Sequence, residues 1–172
     1  MDKLFDINYI NMNTPNLDDL KVKLKKVKYK GVGIFATKPI KEDELIAFYK
    51  VLVIKDNTGY KSPTNMAYAI SIMTKADKPS KVFFGDLFLG SLLPPCDNIP
   101  FWGYFSNEPS GDQYANCYID TNIDGNYSNR KVLRAGDTFI YGLRANYDID
   151  AGEEITWCYG PDYERDYVPA CE

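Results

Sequence analysis

Much of the chain is written in period two. Between residues 20 and 29, apolar Val22 and Leu24 alternate with Lys21, Lys23 and Lys25, so a strand here buries one face and solvates the other. "ELIAFYKVLVI" (44–54) is rich in branched and aromatic residues and reads as a longer strand. "VFFGDLFLG" reads as a hairpin turning on Gly85-Asp86. Residues 101–106, 115–121, 137–145 and 154–159 are further strand candidates. Only "SPTNMAYAISIMTKA" (62–76) has helical spacing, diluted by its β-branched residues. Prolines and glycines punctuate throughout, and regular βα alternation is missing, which argues against a doubly wound sheet. The expectation is a mainly β chain of short strands joined by irregular loops.

Composition narrows the chemistry. At 172 residues the chain reads as one domain, large enough to bury about 70% of the surface its unfolded form exposes. No apolar run approaches the ~20 residues of a membrane span. The polar, mildly acidic "MDKLFDINYINMNTP" is neither a signal nor a transit peptide, so a soluble intracellular protein is expected. Cys96, Cys117, Cys158 and Cys171 lie far apart with no CxxC spacing and are expected to be reduced. No metal site is expected either, because zinc needs close cysteine pairs or histidines. The chain contains no histidine at all. That removes Ser-His-Asp and Cys-His catalysis and the usual general base near neutral pH. Any reaction must run on carboxylates, Lys, Tyr, Cys or a bound cofactor.

The net charge of −4 conceals two blocks of opposite sign. "KVKLKKVKYK" (21–30) holds six lysines and no acid; its alternation fits a solvated strand face better than a nucleic-acid patch. Residues 148–172 hold eight acids against Arg165 alone, a surface that would attract a basic partner.

Directly after the lysine stretch comes "GVGIFA" (31–36), formally a G-x-G-x-x-A dinucleotide fingerprint. The fingerprint requires a helix to open at the glycines. The next residues, "TKPIKEDELIAFYKVLVI", place Pro39 inside that helix and begin a strand by Glu44, so the reading fails on context. Two nearby glycines still let a backbone approach a ligand closely, or make a plain β-turn.

Three stretches in order, "YKGVGIFATKPIKEDELI", "GYFSNEPSGDQYANCYI" and "IDAGEEITWCYG", resemble the SET-domain protein lysine methyltransferases over about residues 20–160. That family has a G-x-G turn with a following strand and a P-I-x-x-G-x-x-I-like element. An R-F-I-N-H-S-C-x-P-N-C segment and a closing G-E-E-L-T-x-x-Y-G come next. The closing motif is nearly complete over Gly152, Glu153, Glu154, Ile155, Thr156, Tyr159 and Gly160. The family's glycine in the second element is Asp43 here, a surface-turn change. Its Asn-His pair is Asn107-Glu108, its arginine is Tyr104, and the insertion "EPSGDQY" precedes "ANC". Only Cys171 follows the last motif, so the zinc-binding C-terminal segment of many relatives is absent, and a segment carrying Tyr163 and Tyr167 would have to cover the site.

The resemblance implies a mainly β SET-domain fold of small curved sheets with a pseudoknot crossing and few short helices. The division would be an N-terminal extension (1–19), the SET domain (20–160, with a variable insert at 56–95) and a covering segment (161–172). It implies transfer of the methyl group of S-adenosylmethionine to a protein lysine, with a histone tail or another basic peptide as partner. Gly31, Val32, Gly33, Phe105, Asn107 and Glu108 would bind the cofactor. Tyr68, Tyr104 and Trp157 would wall the lysine channel, and Tyr159 would orient the reacting groups. Tyr68 fits core packing equally well, and Trp157 either limits product size or fills the core. Asp162, Glu164 and Asp166 would steer a basic peptide to the site. Competing readings are a SET-like module that binds peptides without catalysis and a methyltransferase of a non-histone protein. A nucleic-acid-binding β-domain using the lysines and tyrosines is disfavoured by the net charge. Neither nucleic-acid nor membrane binding is expected.

Overall fold

The lysine-striped stretch forms β1 (Val22–Val27), antiparallel to β2 (Gly31–Ala36), with Val22 opposite Ala36 and Val27 opposite Gly31. In the computed structural model of the chain, residues 6–28, 30–54, 70–72, 83–87, 99–120, 136, 138–160 and 167–171 are described. Val22 and Leu24 are buried while Lys21, Lys23 and Lys25 are exposed, as the period predicts. The Lys25 ammonium rests 4.2 Å from the centroid of the Phe35 ring, so this stripe is partly packed on an aromatic face.

The remaining strands are β3 (Leu45–Ile54), β4 (Ile70–Ile72), β5 (Phe83–Leu87), β6 (Cys117–Asp120), β7 (Thr138–Ala145) and β8 (Glu154–Ile155). They complete two antiparallel sheets, β1-β2-β8 and β4-β5-β3-β7-β6. Central β3 is apolar on both faces because both are covered. Val51 and Val53 join Tyr141 and Leu143 in the main core, while Phe48 packs on Phe101 at 5.5 Å between ring centroids. Val22, Leu24, Ile34 and Ile155 of the first sheet enter the same main core, which also takes in fully buried Trp102. The fold is thus mainly β, with small antiparallel sheets and few short helices. Among the described residues, no helix is long and apolar enough to cross a membrane.

Several local readings are corrected. Residues 83–87 are one continuous strand, not a hairpin: Gly85 pairs with Val53 on one side and Ile70 on the other. Two neighbouring strands there override the turn preference of Gly-Asp. Residues 70–72, inside the window with helical spacing, are strand; the rest of that window lies outside the described residues. Residues 101–106 contain a 3-10 turn (Gly103–Phe105) rather than a strand. Gly103 lies so close to β3 that a Cβ would meet the Phe48 carbonyl oxygen and Tyr49 Cβ at 2.9 Å. The strand predicted over 154–159 stops at Ile155. A short helix, α1 (Ile7–Met12), is added near the N-terminus. Its cap is Asp6, which accepts the N–H of Asn8 and Tyr9, and it buries Ile10.

The turn at Asp43 has φ +63°, the left-handed region where the related motif carries glycine. Aspartate is among the few other residues that tolerate it. Here it is held from several sides. Its N–H donates to Ala145 O, its carbonyl accepts Arg144 Nη1, and its carboxylate accepts the Tyr118 hydroxyl at 2.9 Å.

Candidate cofactor and catalytic site

Three stretches far apart in sequence meet where the C-terminal motif crosses the earlier segment around Asn107. Thr156 makes a parallel bridge with Asn107, and the Trp157 N–H donates to Asn107 O at 3.1 Å. Asn107 Nδ2 in turn donates to the Val32 carbonyl at 3.1 Å. This is the crossing that the resemblance implied, and it gathers 31–36, 105–108 and 154–160 around one point. On its other edge, β8 continues the first sheet through Ile34 and Phe35.

One side of the crossing is a buried polar cluster. Glu154 is 8% exposed, and its carboxylate accepts Asn107 Nδ2 at 3.1 Å and Gln113 Nε2 at 2.9 Å, with Lys30 Nζ at 3.8 Å. The cluster explains the second glycine of the motif. A Cβ on Gly33 would meet Glu154 Oε2 and Val27 Cγ2 at 2.9 Å and Asn107 Nδ2 at 3.0 Å. Gly31 opens β2 at φ +78°, and a Cβ there would meet nothing. Both glycines therefore belong to a strand rather than a β-turn; one permits close packing and the other leaves an open backbone. Gln113 comes from the insertion and ties it into the cluster. Asn116 locks the same strand end from below. Its Nδ2 donates to Glu154 O at 2.7 Å, and its Oδ1 accepts Thr156 N at 2.9 Å.

The other side holds Tyr159. Its hydroxyl donates to the Ser106 carbonyl at 2.6 Å, and its backbone N–H donates to Glu108 Oε1 at 2.9 Å. The Trp157 ring meets Tyr159 edge to face at 4.9 Å, a favoured geometry for two π systems. Trp157 also packs against the main core, and its buried indole N–H has no acceptor among the described residues. Glu108, 3% exposed, gives its second carboxylate oxygen to the Tyr167 hydroxyl at 2.8 Å. Its carbonyl oxygen accepts the Lys30 ammonium at 2.8 Å.

Val32, Gly33, Asn107, Glu108, Trp157 and Tyr159 are thus brought together. Tyr104 and Phe105 stack on each other at 4.2 Å within the main core. Tyr68 and the acids Asp162, Glu164 and Asp166 lie outside the described residues. An open groove of about 510 Å³ runs along the polar side of the crossing, between Phe35, Tyr114 and Tyr147 and the cluster residues Gln113, Glu154 and Thr156. Neither Trp157 nor Tyr159 lines it, so it opens on the polar side of the crossing and not on the Tyr159 side.

The cysteines depart from expectation. Cys158 and Cys171 form a disulfide, with Cα atoms 6.0 Å apart, inside the span such a bond requires. Sequence spacing hid the pair because the C-terminal segment folds back over residues 108–109, where Ala170 N–H donates to Pro109 O at 3.0 Å. Cys117 is a buried free thiol whose pKa burial pushes far up, which leaves it inert as a nucleophile. Sequence reasoning also missed Lys30, Ser106 and Gln113. All three lie inside stretches that carry the resemblance, but no residue-type signal singled them out.

These contacts define a small-sheet domain whose last motif closes against an earlier asparagine-bearing segment. The SET domain family matches residues 31–160, and the chain belongs to that family. Similar solved structures include a Plasmodium falciparum protein carried as a candidate histone methyltransferase, at 18% identity and a TM-score of 0.48, covering 84% of this chain and 96% of that one. Another is CpSET8 from Cryptosporidium, at 19% identity and a TM-score of 0.49, covering 81% of this chain and 57% of that one. No curated protein matches the chain in sequence.

Proposed function

We propose that the chain transfers the methyl group of S-adenosylmethionine to the ε-amine of a protein lysine, in a basic peptide such as a histone tail. Membership of the SET family supports methyl transfer in general. The observation that carries the specific reading is Tyr159, whose hydroxyl proton is given to Ser106 O. The phenol oxygen then offers lone pairs to N–H groups of an incoming amine, which orients the nitrogen for in-line attack.

The residues present suit a cationic cofactor. Trp157 and Tyr159 offer aromatic faces, Glu108 offers a carboxylate, the indole N–H of Trp157 has no acceptor among the described residues, and Gly31 leaves the backbone open. When bound, the cofactor supplies an electrophilic methyl on a sulfonium. Asn107 and Glu108 would hold it through their backbone, and Val32 and Gly33 would lie beside it. The substrate lysine, with pKa ~10.4, must lose a proton, at a cost of about 4 kcal/mol near pH 7.4. Desolvation between the two rings lowers that pKa, so water can accept the proton without a histidine.

One contact favours a second reading, a SET-like module that binds peptide without catalysis. Lys30 already occupies the Glu108 carbonyl, part of the backbone that the resemblance assigns to the cofactor. Both readings meet one experiment: transfer of labelled methyl from S-adenosylmethionine to core histones by the native chain and by Tyr159→Phe. The expected result is transfer that falls about 100-fold in the variant, equivalent to ~2.7 kcal/mol of barrier. Native-level transfer by the variant removes Tyr159 from the mechanism. Absence of both transfer and cofactor binding leaves the peptide-binding module.

A further inference from the structure

Glu108 stands where the resemblance carries histidine, and its two carboxylate oxygens are held by different parts of the chain. Oε1 accepts the backbone N–H of Tyr159 and Oε2 accepts the hydroxyl of Tyr167. Cys158, the residue before Tyr159, is bonded to Cys171, four residues after Tyr167. The path from Tyr159 through the disulfide to Cys171, back to Tyr167 and across Glu108 is therefore a closed ring. One buried carboxylate and one covalent bond complete it.

The segment inside this ring is lightly packed. Val168 is 93% exposed and Tyr167 is 47% exposed, so apolar burial contributes little. Two hydrogen bonds tie it to residues 108 and 109, Tyr167 to Glu108 and Ala170 to Pro109. Hydrogen bonds of this number do not by themselves offset the backbone entropy of ordering residues 167–171. The disulfide shifts that balance by tethering Cys171 to Cys158, so the segment stays near Glu108 whenever Tyr159 is in place.

We propose that Glu108 is a positioning residue which, together with the Cys158–Cys171 disulfide, clasps segment 167–171 over residues 107–109 and holds the backbone at Tyr159. The clasp makes cofactor retention dependent on the disulfide. It rests on the methyltransferase reading only for the identity of the pocket it covers. Opening it takes a dithiol reductant. The S–S bond accepts two electrons and two protons to give two thiols, and the dithiol closes to its own cyclic disulfide. Tyr167 then leaves Glu108, water reaches the carboxylate, and the Tyr159 N–H loses a fixed acceptor. Cofactor affinity falls, while turnover at saturating cofactor falls less.

The test uses the full chain, oxidised and after dithiothreitol, with Cys171→Ser as a reductant-free counterpart. Amide hydrogen exchange is read at Tyr159 and Ala170, with β3 and β7 amides as the fold control, and S-adenosylmethionine affinity is read by calorimetry. Reduction is expected to speed exchange at Tyr159 and Ala170 at least tenfold, leave β3 and β7 unchanged, and weaken cofactor binding about tenfold. Glu108→Gln keeps an acceptor for Tyr159 and a polar partner for Tyr167, so it should retain most of the protection that Glu108→Ala loses. Unchanged exchange at Tyr159 on reduction overturns the clasp, whatever the cofactor does. Faster exchange with undiminished affinity overturns its link to the pocket. Faster exchange in a chain that never binds cofactor upholds the clasp and removes the methyltransferase reading instead.

Discussion

The two sheets of this domain meet in one apolar core, yet their outer ends are secured by different physics. The five-stranded sheet surrounds β3 with side chains that carry few polar atoms: Phe48 on Phe101 to one side, and Val51 and Val53 to the other. The three-stranded sheet ends at β8, where the buried Glu154 carboxylate accepts Asn107 and Gln113 while buried Asn116 bonds the backbone of Glu154 and Thr156. Apolar burial is non-directional and tolerates small shifts. A buried polar network is directional, and each of its members loses much when one is removed. The region that brings the backbones of Val32, Asn107 and Tyr159 together is the one built from directional contacts.

The contrast can be broken first at Phe48. Phe48→Ala should cost about 3–5 kcal/mol in urea unfolding, by transfer energy plus a cavity. The expected signature is a lowered midpoint with an unchanged slope; a loss under about 1 kcal/mol would mean the second sheet does not depend on that face. Glu154→Ala comes next. It removes the acceptor of two part-buried amides and the counterion of Lys30, a loss of about 2–3 kcal/mol. Glu154→Gln should recover part of that loss, because it restores an acceptor oxygen. Equal stability of the alanine variant and the parent would show that the network orders the crossing without stabilising it. Lys23→Gln on the solvated face of β1 should change stability by less than about 0.5 kcal/mol. A larger drop would show that this stripe is not merely exposed.

How legible this was in the sequence depended on the range over which each signal acts. The lysine alternation of β1 is written residue by residue, and burial follows it. The closing motif around Gly152 to Gly160 carried the family and, with it, the crossing that no local pattern could reveal. Gly85-Asp86 misled because its partners, Val53 and Ile70, are remote in sequence and outvote a local turn preference. Residues 101–106 misled because an apolar aromatic run is also what a tightly packed 3-10 turn needs when Gly103 must touch β3. The disulfide was invisible because Cys158 and Cys171 meet only after the C-terminal segment has folded back. Glu108 was read as a departure from a motif, yet its carboxylate ties Tyr159 to Tyr167.

The pairing of Ile34 with Ile155 has a consequence for how the molecule comes into being. The first sheet cannot be completed until nearly the whole domain has been made, and the closing motif must then find its place beside Asn107. Long-range pairings are slow to form, because loop-closure entropy is lost before their contacts are gained. A chain emerging from the ribosome would therefore assemble the β3–β5 pairing early and the β2–β8 pairing last. The centre around Tyr159 is born only at the final step, so a truncated chain could be largely folded and still have no site at all.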